Sequence, residues 1–158
     1  MKEIKNRTNE ANEIVKHYAK GAVGVGIVPL PLLDLALLSG IQLSMIHRLA
    51  QLYKVQFSEN LAQPAIAALL GSTIPVSFSL NLASFVKGVS GYGLAVGMAS
   101  TALFGSASTY AVGKVFIQHF ESGGTLLNFD PQQVKDYYAE QFEKNEEQMR
   151  KSFAGIRP

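Results

Sequence analysis

The residues of this chain that could take part in chemistry are three histidines and a number of serines that lie close to glycines. His17, His47 and His119 stand alone, and none belongs to an H-E-x-x-H or similar metal-binding spacing. Ser90 comes nearest to a nucleophile elbow, but residues 88–92 lack the G-x-S-x-G pattern. The chain has no Cys, which excludes disulfides and thiolate chemistry. We therefore expect a protein that is not an enzyme, with no cofactor and no bound metal.

Asp34 needs a physical explanation because it lies in the otherwise apolar residues 30–38. A carboxylate buried without a partner is costly, so it must cap a helix, pair or reach water. Pro31 suits a first helical position, which would place Asp34 near the positive end of the helix dipole. The alternative is a carboxylate that faces a partner or a cation near Gln42 and His47, although no second acid lies close enough in sequence to complete a metal site. The candidate partner-facing or structural residues are thus Pro29, Pro31, Asp34 and Gln42.

Small residues recur at every fourth position in the second half of the chain. This spacing keeps one face of a helix free of bulk, so that another helix can approach almost to backbone contact. Glycine inside a helix costs about 0.5–1 kcal/mol relative to alanine, and tight packing must offset that loss. In a membrane such a face drives helix association, whereas in water it lets a buried helix cross a neighbour closely. We favour bilayer contact and a homo-oligomer formed through this small-residue ladder: Gly93, Gly97, Thr101, Gly105, Thr109 and Gly113.

The charges of the chain lie at its two ends. Residues 1–20 carry five basic and three acidic side chains and residues 121–158 carry five and seven, but the hundred residues between them carry four and two. Six charged residues per hundred is far below the roughly 25 % charged residues typical of soluble domains, so the middle of the chain is suited to burial in protein or in lipid. The basic residues are dispersed and matched by acids, which argues against nucleic-acid binding.

Two uncharged stretches, residues 60–86 and 88–113, each exceed the ~20 residues that a membrane span needs. Pro75 and several serines interrupt the first stretch, so a re-entrant or shallow hairpin fits as well as two full spans. Residues 1–20 are polar and do not resemble a signal peptide. We therefore expect a protein of the cytoplasmic membrane with both termini in the cytoplasm and, if the hairpin crosses the bilayer, with Lys87 on the far side.

Hydrophobic periodicity predicts an all-α fold, a helical bundle with a glycine-rich apolar hairpin. Ser58 is a plausible N-cap, and Pro64 is expected to bend or restart the helix that follows. Gly123 and Gly124 indicate a flexible exit from the ladder helix. The predicted helices run from Lys2 to about Gly26, from Leu32 to Tyr53, from Ser58 to a break at Gly71 and Pro75, through the ladder to about Phe120, and from Asp130 to about Phe153, with Thr73 to Leu80 as the one possible strand.

The last helix carries a narrow apolar stripe and many charges. We expect the stripe to fold back on the bundle, with docking of a partner helix as the alternative. The predicted organisation is a helical domain over residues 1–127, with the apolar hairpin at about 60–113, and a charged amphipathic helix over residues 128–158. The stripe consists of Val134, Tyr137, Tyr138, Phe142 and Met149.

Three motifs follow one another along the chain: Val28-Pro29-Leu30-Pro31-Leu32-Leu33-Asp34; then Ile41-Gln42 with Met45-Ile46, Leu49-Ala50 and Tyr53; then Thr109-Tyr110-Ala111-Val112-Gly113-Lys114 with Phe120 and Gly123. In this order they resemble the YcjF-type domain, a bacterial family of unknown function that is often fused to or encoded beside GTPases. The resemblance covers about residues 14–127 and implies an all-helical, membrane-associated module attached to GTPase biology. A phosphate-binding loop is absent, because Gly113-Lys114 is followed by Val115, so any nucleotide hydrolysis must come from a partner.

Together these observations predict a non-enzymatic, membrane-associated helical adaptor or effector of a GTPase that self-associates through the small-residue ladder. Two alternatives stay open at this point. One is a pore-forming or membrane-remodelling protein. The other is a soluble helical interaction module in which the glycine-rich hairpin is the core.

Overall fold

The structure is a computed structural model that describes residues 1–25, 31–72 and 91–155. The predictions made for Pro29, for the strand from Thr73 to Leu80, for Pro75 and for Lys87 lie outside these residues. Within the described ranges every regular element is helical, which confirms the all-α prediction. The elements are α1 (Lys2–Val25), α2 (Pro31–Tyr53), α3 (Glu59–Gly71), α4 (Gly91–Glu121), a 3-10 turn (Leu126–Asn128) and α5 (Pro131–Ala154).

Local signals explain most of the helix boundaries. The Asp130 side chain caps α5 by accepting a hydrogen bond from the backbone N–H of Gln132 at 2.9 Å. Ser58 occupies the N-cap position of α3, but its side chain makes no capping hydrogen bond. The sequence predicts that Pro64 bends or restarts the helix. A restart is wrong, since α3 runs through Pro64 without a break. The buried face of α3 holds the helix together despite the missing N–H, and it consists of Ala62, Ala65, Ile66, Leu69 and Leu70.

Helix α1 runs antiparallel to α4 along most of its length. Thr8 bonds to Glu121 near one end, Val15 faces Gly113 in the middle, and the Ala22 carbonyl faces Gly105 near the other end. Contacts that follow in reverse order along two helices define an antiparallel pair. The two long helices therefore form one seam, with the small residues of α4 turned towards α1.

Helix α2 runs parallel to α4, because its contacts follow in the same order along both helices. Leu38 faces Gly105, Met45 faces Gly113, and the Tyr53 hydroxyl bonds to Glu121. The connection between these two parallel helices contains α3. Helices α1, α2 and α4 thus form a three-helix core, with α5 packed along α4 and α3 packed against α2, α4, α5 and the 3-10 turn.

The apolar stripe of α5 folds back on the bundle. Tyr138 is fully buried, and Phe142 packs on Phe104 with ring centroids 5.7 Å apart. The stacked rings of Phe116 and Phe129, 4.6 Å apart, join α4 to the segment that leads into α5. Helix α5 is therefore part of the core that the described residues build.

The exit from α4 is a hydrogen-bonded turn and not the flexible link that the two glycines predict. The N–H of Gly124 donates to the His119 carbonyl at 2.9 Å, and the N–H of Gly123 donates to the Phe120 carbonyl at 3.0 Å. Gly123 has φ = 82°, the left-handed conformation that this type of helix end requires. Gly124 packs against the His119 ring, where a side chain would collide. Both glycines thus serve a tight helix end.

Candidate functional site

The second half of the small-residue ladder is a packing seam inside the molecule. A β-carbon at Gly113 would lie 2.5 Å from Val15 Cγ2 and 3.1 Å from Met45 Sδ. A β-carbon at Gly105 would lie 3.1 Å from the carbonyl oxygen of Ala22. These two glycines therefore let α1 and α2 approach the backbone of α4, which is the compensating gain expected for glycine in a helix.

The first half of the ladder is not shown to pack against another helix of the described residues. Gly93 and Gly97 lie in the first turns of α4, and their surroundings are outside the described residues. Thr101 is half-buried, and Thr109 is fully buried. Because α1 and α2 already occupy the face from Gly105 onwards, a second copy could use that part only by displacing them. Self-association stays a prediction, and it now concerns Gly93 and Gly97.

Gln42 forms a buried polar layer between α2 and α4. Its side chain is fully buried, and Nε2 donates weak hydrogen bonds to Thr109 Oγ1 at 3.3 Å and to Ser108 Oγ at 3.4 Å. Its Oε1 has no hydrogen-bond partner in the described part of the chain. The predicted candidate residue Gln42 thus lies inside the three-helix core, where it holds α2 beside α4 and does not face solvent.

The other predicted site residues are not brought together. Pro31 is the first residue of α2 and Asp34 lies in its first turn, as the sequence predicts, while the side chains of both and all of Pro29 lie outside what the structure describes. His47 stacks on Phe57 at the surface, with ring centroids 4.6 Å apart.

The two remaining histidines lie in separate places. His119 Nε2 lies 2.8 Å from the Thr125 carbonyl in the turn after α4, and His17 is exposed on α1. Among the described residues, no group of three acids or histidines is placed to hold a metal ion.

A cluster that the sequence does not predict joins α1, α2 and α4 at one end of the bundle. Glu121 Oε1 accepts hydrogen bonds from Thr8 Oγ1 at 2.5 Å and from the Tyr53 hydroxyl at 2.8 Å. The Arg7 guanidinium lies 5.0 Å from the centre of the Tyr53 ring, within cation–π range. Burial, followed by the hydrogen bond to Glu121 and its charge, raises the pKa of Tyr53 well above the ordinary tyrosine value. This Glu121 cluster fastens three helices at one point.

Lys114 is a half-buried cation on α4. Its Nζ donates to Asn12 Oδ1 at 2.8 Å, and none of the four ion pairs formed within the described residues includes it. Burial is the largest cause that lowers the pKa of Lys114. The nearby cations Lys144 and Lys16 lower it further, while Glu121 acts in the opposite direction. The hydrogen-bond partner of the Lys114 ammonium is thus the uncharged amide of Asn12.

The sequence contains a signal that points to Lys114, but it contains none that points to the Glu121 cluster. Lys114 is the first charge after 26 uncharged residues, so a reader could expect that its charge needs a special environment. The partners of Glu121 lie far away in sequence, on α1 and α2. Only the fold brings Thr8 and Tyr53 to it.

At one end of the bundle α1 finishes and α2 and α4 begin. We call it the apolar end because Asp34 is the one charged residue from position 21 to position 47, although the charged last turns of α5 run towards it as well. Leu37 is 50 % exposed there, and added side chains at Gly21, Gly24 and Gly40 would meet no atom within 4 Å. Within the described ranges, no helix combines the length and the hydropathy needed to cross a bilayer.

Comparison with known proteins gives a family and one named relative. A family model described as a domain of unknown function, DUF697, matches residues 2–147, which extends beyond residue 127 and includes most of α5. Magnetosome membrane protein 22 of Magnetospirillum gryphiswaldense is 39 % identical over 135 residues, which cover 85 % of this chain and 69 % of that protein. No solved structure matches the chain.

Proposed function

Since the chain belongs to the DUF697 family of domains of unknown function, we propose that it is a non-enzymatic helical adaptor that associates with the cytoplasmic membrane and acts with a GTPase. The observation that carries this proposal is the apolar end of the bundle. Leu37 is half exposed there, in a part of the sequence with a single charge. Where the apolar surface around an exposed leucine is contiguous, it is typical of a site that meets a membrane or another protein. The similar magnetosome protein is itself named a membrane protein, which favours the membrane.

The polar side chains support an adaptor over an enzyme. Glu121 is engaged by Thr8 and Tyr53, and Gln42 is enclosed between α2 and α4. The hydrogen bonds that these groups make hold helices together. The nucleotide chemistry of the complex would then belong to the GTPase partner, which the resemblance to YcjF-type domains suggests and which the absence of a phosphate-binding loop in this chain requires.

Membrane contact at the apolar end is testable with two matched leucines. Leu37 lies at the apolar end, and Leu127, which is 84 % exposed, lies at the opposite end beside the start of α5. Leu37→Gln should weaken co-sedimentation with phosphatidylcholine vesicles by about tenfold, because burial of a leucine side chain is worth about 1.5–3 kcal/mol. Leu127→Gln should bind like the unaltered protein. Equal binding of both variants, with unchanged circular dichroism, would rule out this contact.

The GTPase partner is tested by affinity capture from native membranes in the presence of a non-hydrolysable GTP analogue or of GDP. We expect one G-domain protein to be retained more strongly in one nucleotide state. A second candidate function is a helical interaction module that works without lipid, which the enclosure of Gly105 and Gly113 inside the protomer favours. Carbonate washing separates the two, since release of the protein from membranes would support this second candidate.

A further inference from the structure

A pocket opens at the surface between α2 and the start of α3. It is open to solvent and has a volume of about 270 Å³. Gly40 leaves room for it, since a β-carbon there would meet no atom of the described residues within 4 Å. A cavity of about 150 Å³ holds a benzene ring, so this pocket can take a planar group together with part of its side chain. The residues that line it are Gly40, Leu43, Ser44, His47, Phe57 and Glu59.

Part of the lining is aromatic. The rings of His47 and Phe57 are stacked, with their centroids 4.6 Å apart and their planes inclined by 20°. Leu43 adds a half-buried aliphatic side chain to the same pocket. A flat aromatic surface and an aliphatic one can together receive the planar head and the hydrocarbon stem of a long side chain.

Glu59 gives the pocket a negative charge. With histidine counted as neutral, it is the one charged residue among the described residues of the lining. Its Oε1 accepts a hydrogen bond from the uncharged amide of Gln63 at 3.0 Å, and none of the four ion pairs formed within the described residues includes it. The nearest cations in sequence, Lys54 and Arg48, do not line the pocket.

The helix dipole of α3 does not reverse this charge. Glu59 lies in the first turn of α3, where the backbone N–H groups act as about half a positive elementary charge. The carboxylate carries a full negative charge, so the pocket favours a cation over an anion.

We propose that this pocket receives an arginine side chain of a protein partner, with the guanidinium against the stacked rings and paired with Glu59. The inference rests on the proposed adaptor function and adds the chemistry of the contact that the partner makes. A guanidinium is planar, stacks on aromatic rings and can donate two parallel N–H bonds to one carboxylate, whereas a lysine ammonium is a compact charge without a flat face. A purely apolar side chain would cover the Glu59 carboxylate without giving it a partner.

The test is a titration of the full chain with N-acetyl-arginine amide, followed by NMR of the backbone amides. The matched probe is N-acetyl-citrulline amide, which has nearly the same shape and no charge. We expect saturable shifts at the amides of Gly40, Ser44 and Glu59. The arginine probe should bind about three- to fivefold more tightly than the citrulline probe, the difference that an exposed ion pair contributes.

Three variants locate the binding. Glu59→Gln should abolish the preference for arginine over citrulline, while Glu140→Gln, which removes an exposed acid from α5, should keep it. Gly40→Leu should prevent binding of both probes, because the new side chain has room to enter the pocket without displacing its neighbours. The arginine pocket is wrong if the unaltered protein shows no saturable shift at these amides, if it binds both probes equally, or if the preference survives Glu59→Gln.

Affinity capture of the GTPase with the same variants separates this inference from the proposed function. Loss of the GTPase from Gly40→Leu, and weaker retention by Glu59→Gln, would support both. Equal retention by these variants and the unaltered protein would remove the pocket as the contact and leave the adaptor in place. If the probes bind as expected and no GTPase is captured, the pocket is supported and the GTPase partner is not. If Gly40→Leu dissociates an oligomer of the chain in analytical ultracentrifugation, the arginine belongs to a second copy, which would contradict a separate protein partner.

Discussion

Gly113 and Val15 face each other so closely that a β-carbon on Gly113 would lie 2.5 Å from Val15 Cγ2 and 2.7 Å from Val15 Cγ1. The absence of a side chain at this position therefore sets the distance between α1 and α4. Gly113→Ala should lower the free energy of unfolding by about 1–3 kcal/mol, since the overpacking outweighs the better helix propensity of alanine. Urea denaturation followed by circular dichroism measures the change.

The matched control for that variant is Gly40→Ala. Gly40 lies inside α2, and a side chain there would meet no atom within 4 Å. The same substitution should thus raise the free energy of unfolding by about 0.5–1 kcal/mol. Stabilisation by both variants would show that Gly113 is not tightly packed.

Gln42 is a second point at which the core can be tested, because it combines two long hydrogen bonds with an Oε1 that has no partner among the described residues. The double variant Gln42→Met and Thr109→Val removes the polar atoms of both partners and should be more stable than the original by about 1 kcal/mol. Thr109→Val alone should be less stable by a similar amount, since Nε2 then keeps only Ser108. If the double variant is less stable than Thr109→Val, the polar layer contributes more than its geometry indicates.

The two N-caps predicted from sequence, Asp130 and Ser58, should contribute differently to the free energy of unfolding. Asp130 accepts a hydrogen bond from the Gln132 N–H, whereas Ser58 makes no capping bond. Asp130→Ala should lower the free energy of unfolding by about 1 kcal/mol, and Ser58→Ala should change it by a few tenths at most. Equal losses in thermal denaturation would contradict the difference between the caps.

The Glu121 cluster predicts a dependence of stability on alkaline pH. The pKa of Tyr53 is raised in the folded protein, so its contribution is present below the ordinary tyrosine pKa of 10.0 and is lost as the pH rises above that value. Between pH 9 and 11 the free energy of unfolding should therefore fall more steeply for the original protein than for Tyr53→Phe. The pKa of Tyr137 is raised as well, so some slope should persist in Tyr53→Phe and diminish when Tyr137→Phe is added. If the free energy of unfolding falls with pH equally in the original protein and in Tyr53→Phe, ionisation of Tyr53 does not contribute to the pH dependence.

Self-association through the ladder has its clean test at Gly97. A large residue at Gly105 or Gly113 would disturb the seam with α1, whereas Gly97 lies before the part of the ladder that the described contacts occupy. Gly97→Leu should shift the protein from oligomer to monomer in analytical ultracentrifugation, with detergent present, while its helix content stays the same. Gly40→Leu supplies the control, and an oligomer that survives Gly97→Leu would argue against the ladder as the interface.

Much of the fold follows from local patterns. Pro31, Asp130 and Gly71 mark helix ends by mechanisms that act within a few residues, and the observed helices begin or end at or next to them. Pro64 misleads because the missing hydrogen bond of one proline is outweighed by the buried face of α3. Gly123 and Gly124 mislead because the same residues suit both a flexible link and a tight helix end.

The site was harder to predict for a physical reason. The small-residue spacing at Gly105 and Gly113 correctly indicates a close helix approach, but spacing cannot say whether the approaching helix belongs to the same chain. Likewise Glu121 and Lys114 acquire their roles from residues on α1 and α2 that no local pattern connects to them. Pairings across a long stretch of chain need the fold itself.

The antiparallel seam between α1 and α4 also has a consequence for synthesis on the ribosome. Val15 and Gly113 are about a hundred residues apart, and at roughly 5–20 residues per second the nascent chain carries α1 for many seconds before its main partner emerges. During that interval the alanine-rich face of α1 has no α4 to cover it. Helix α1 thus leaves the exit tunnel well before α4 and reaches its final place only late in the synthesis of this domain.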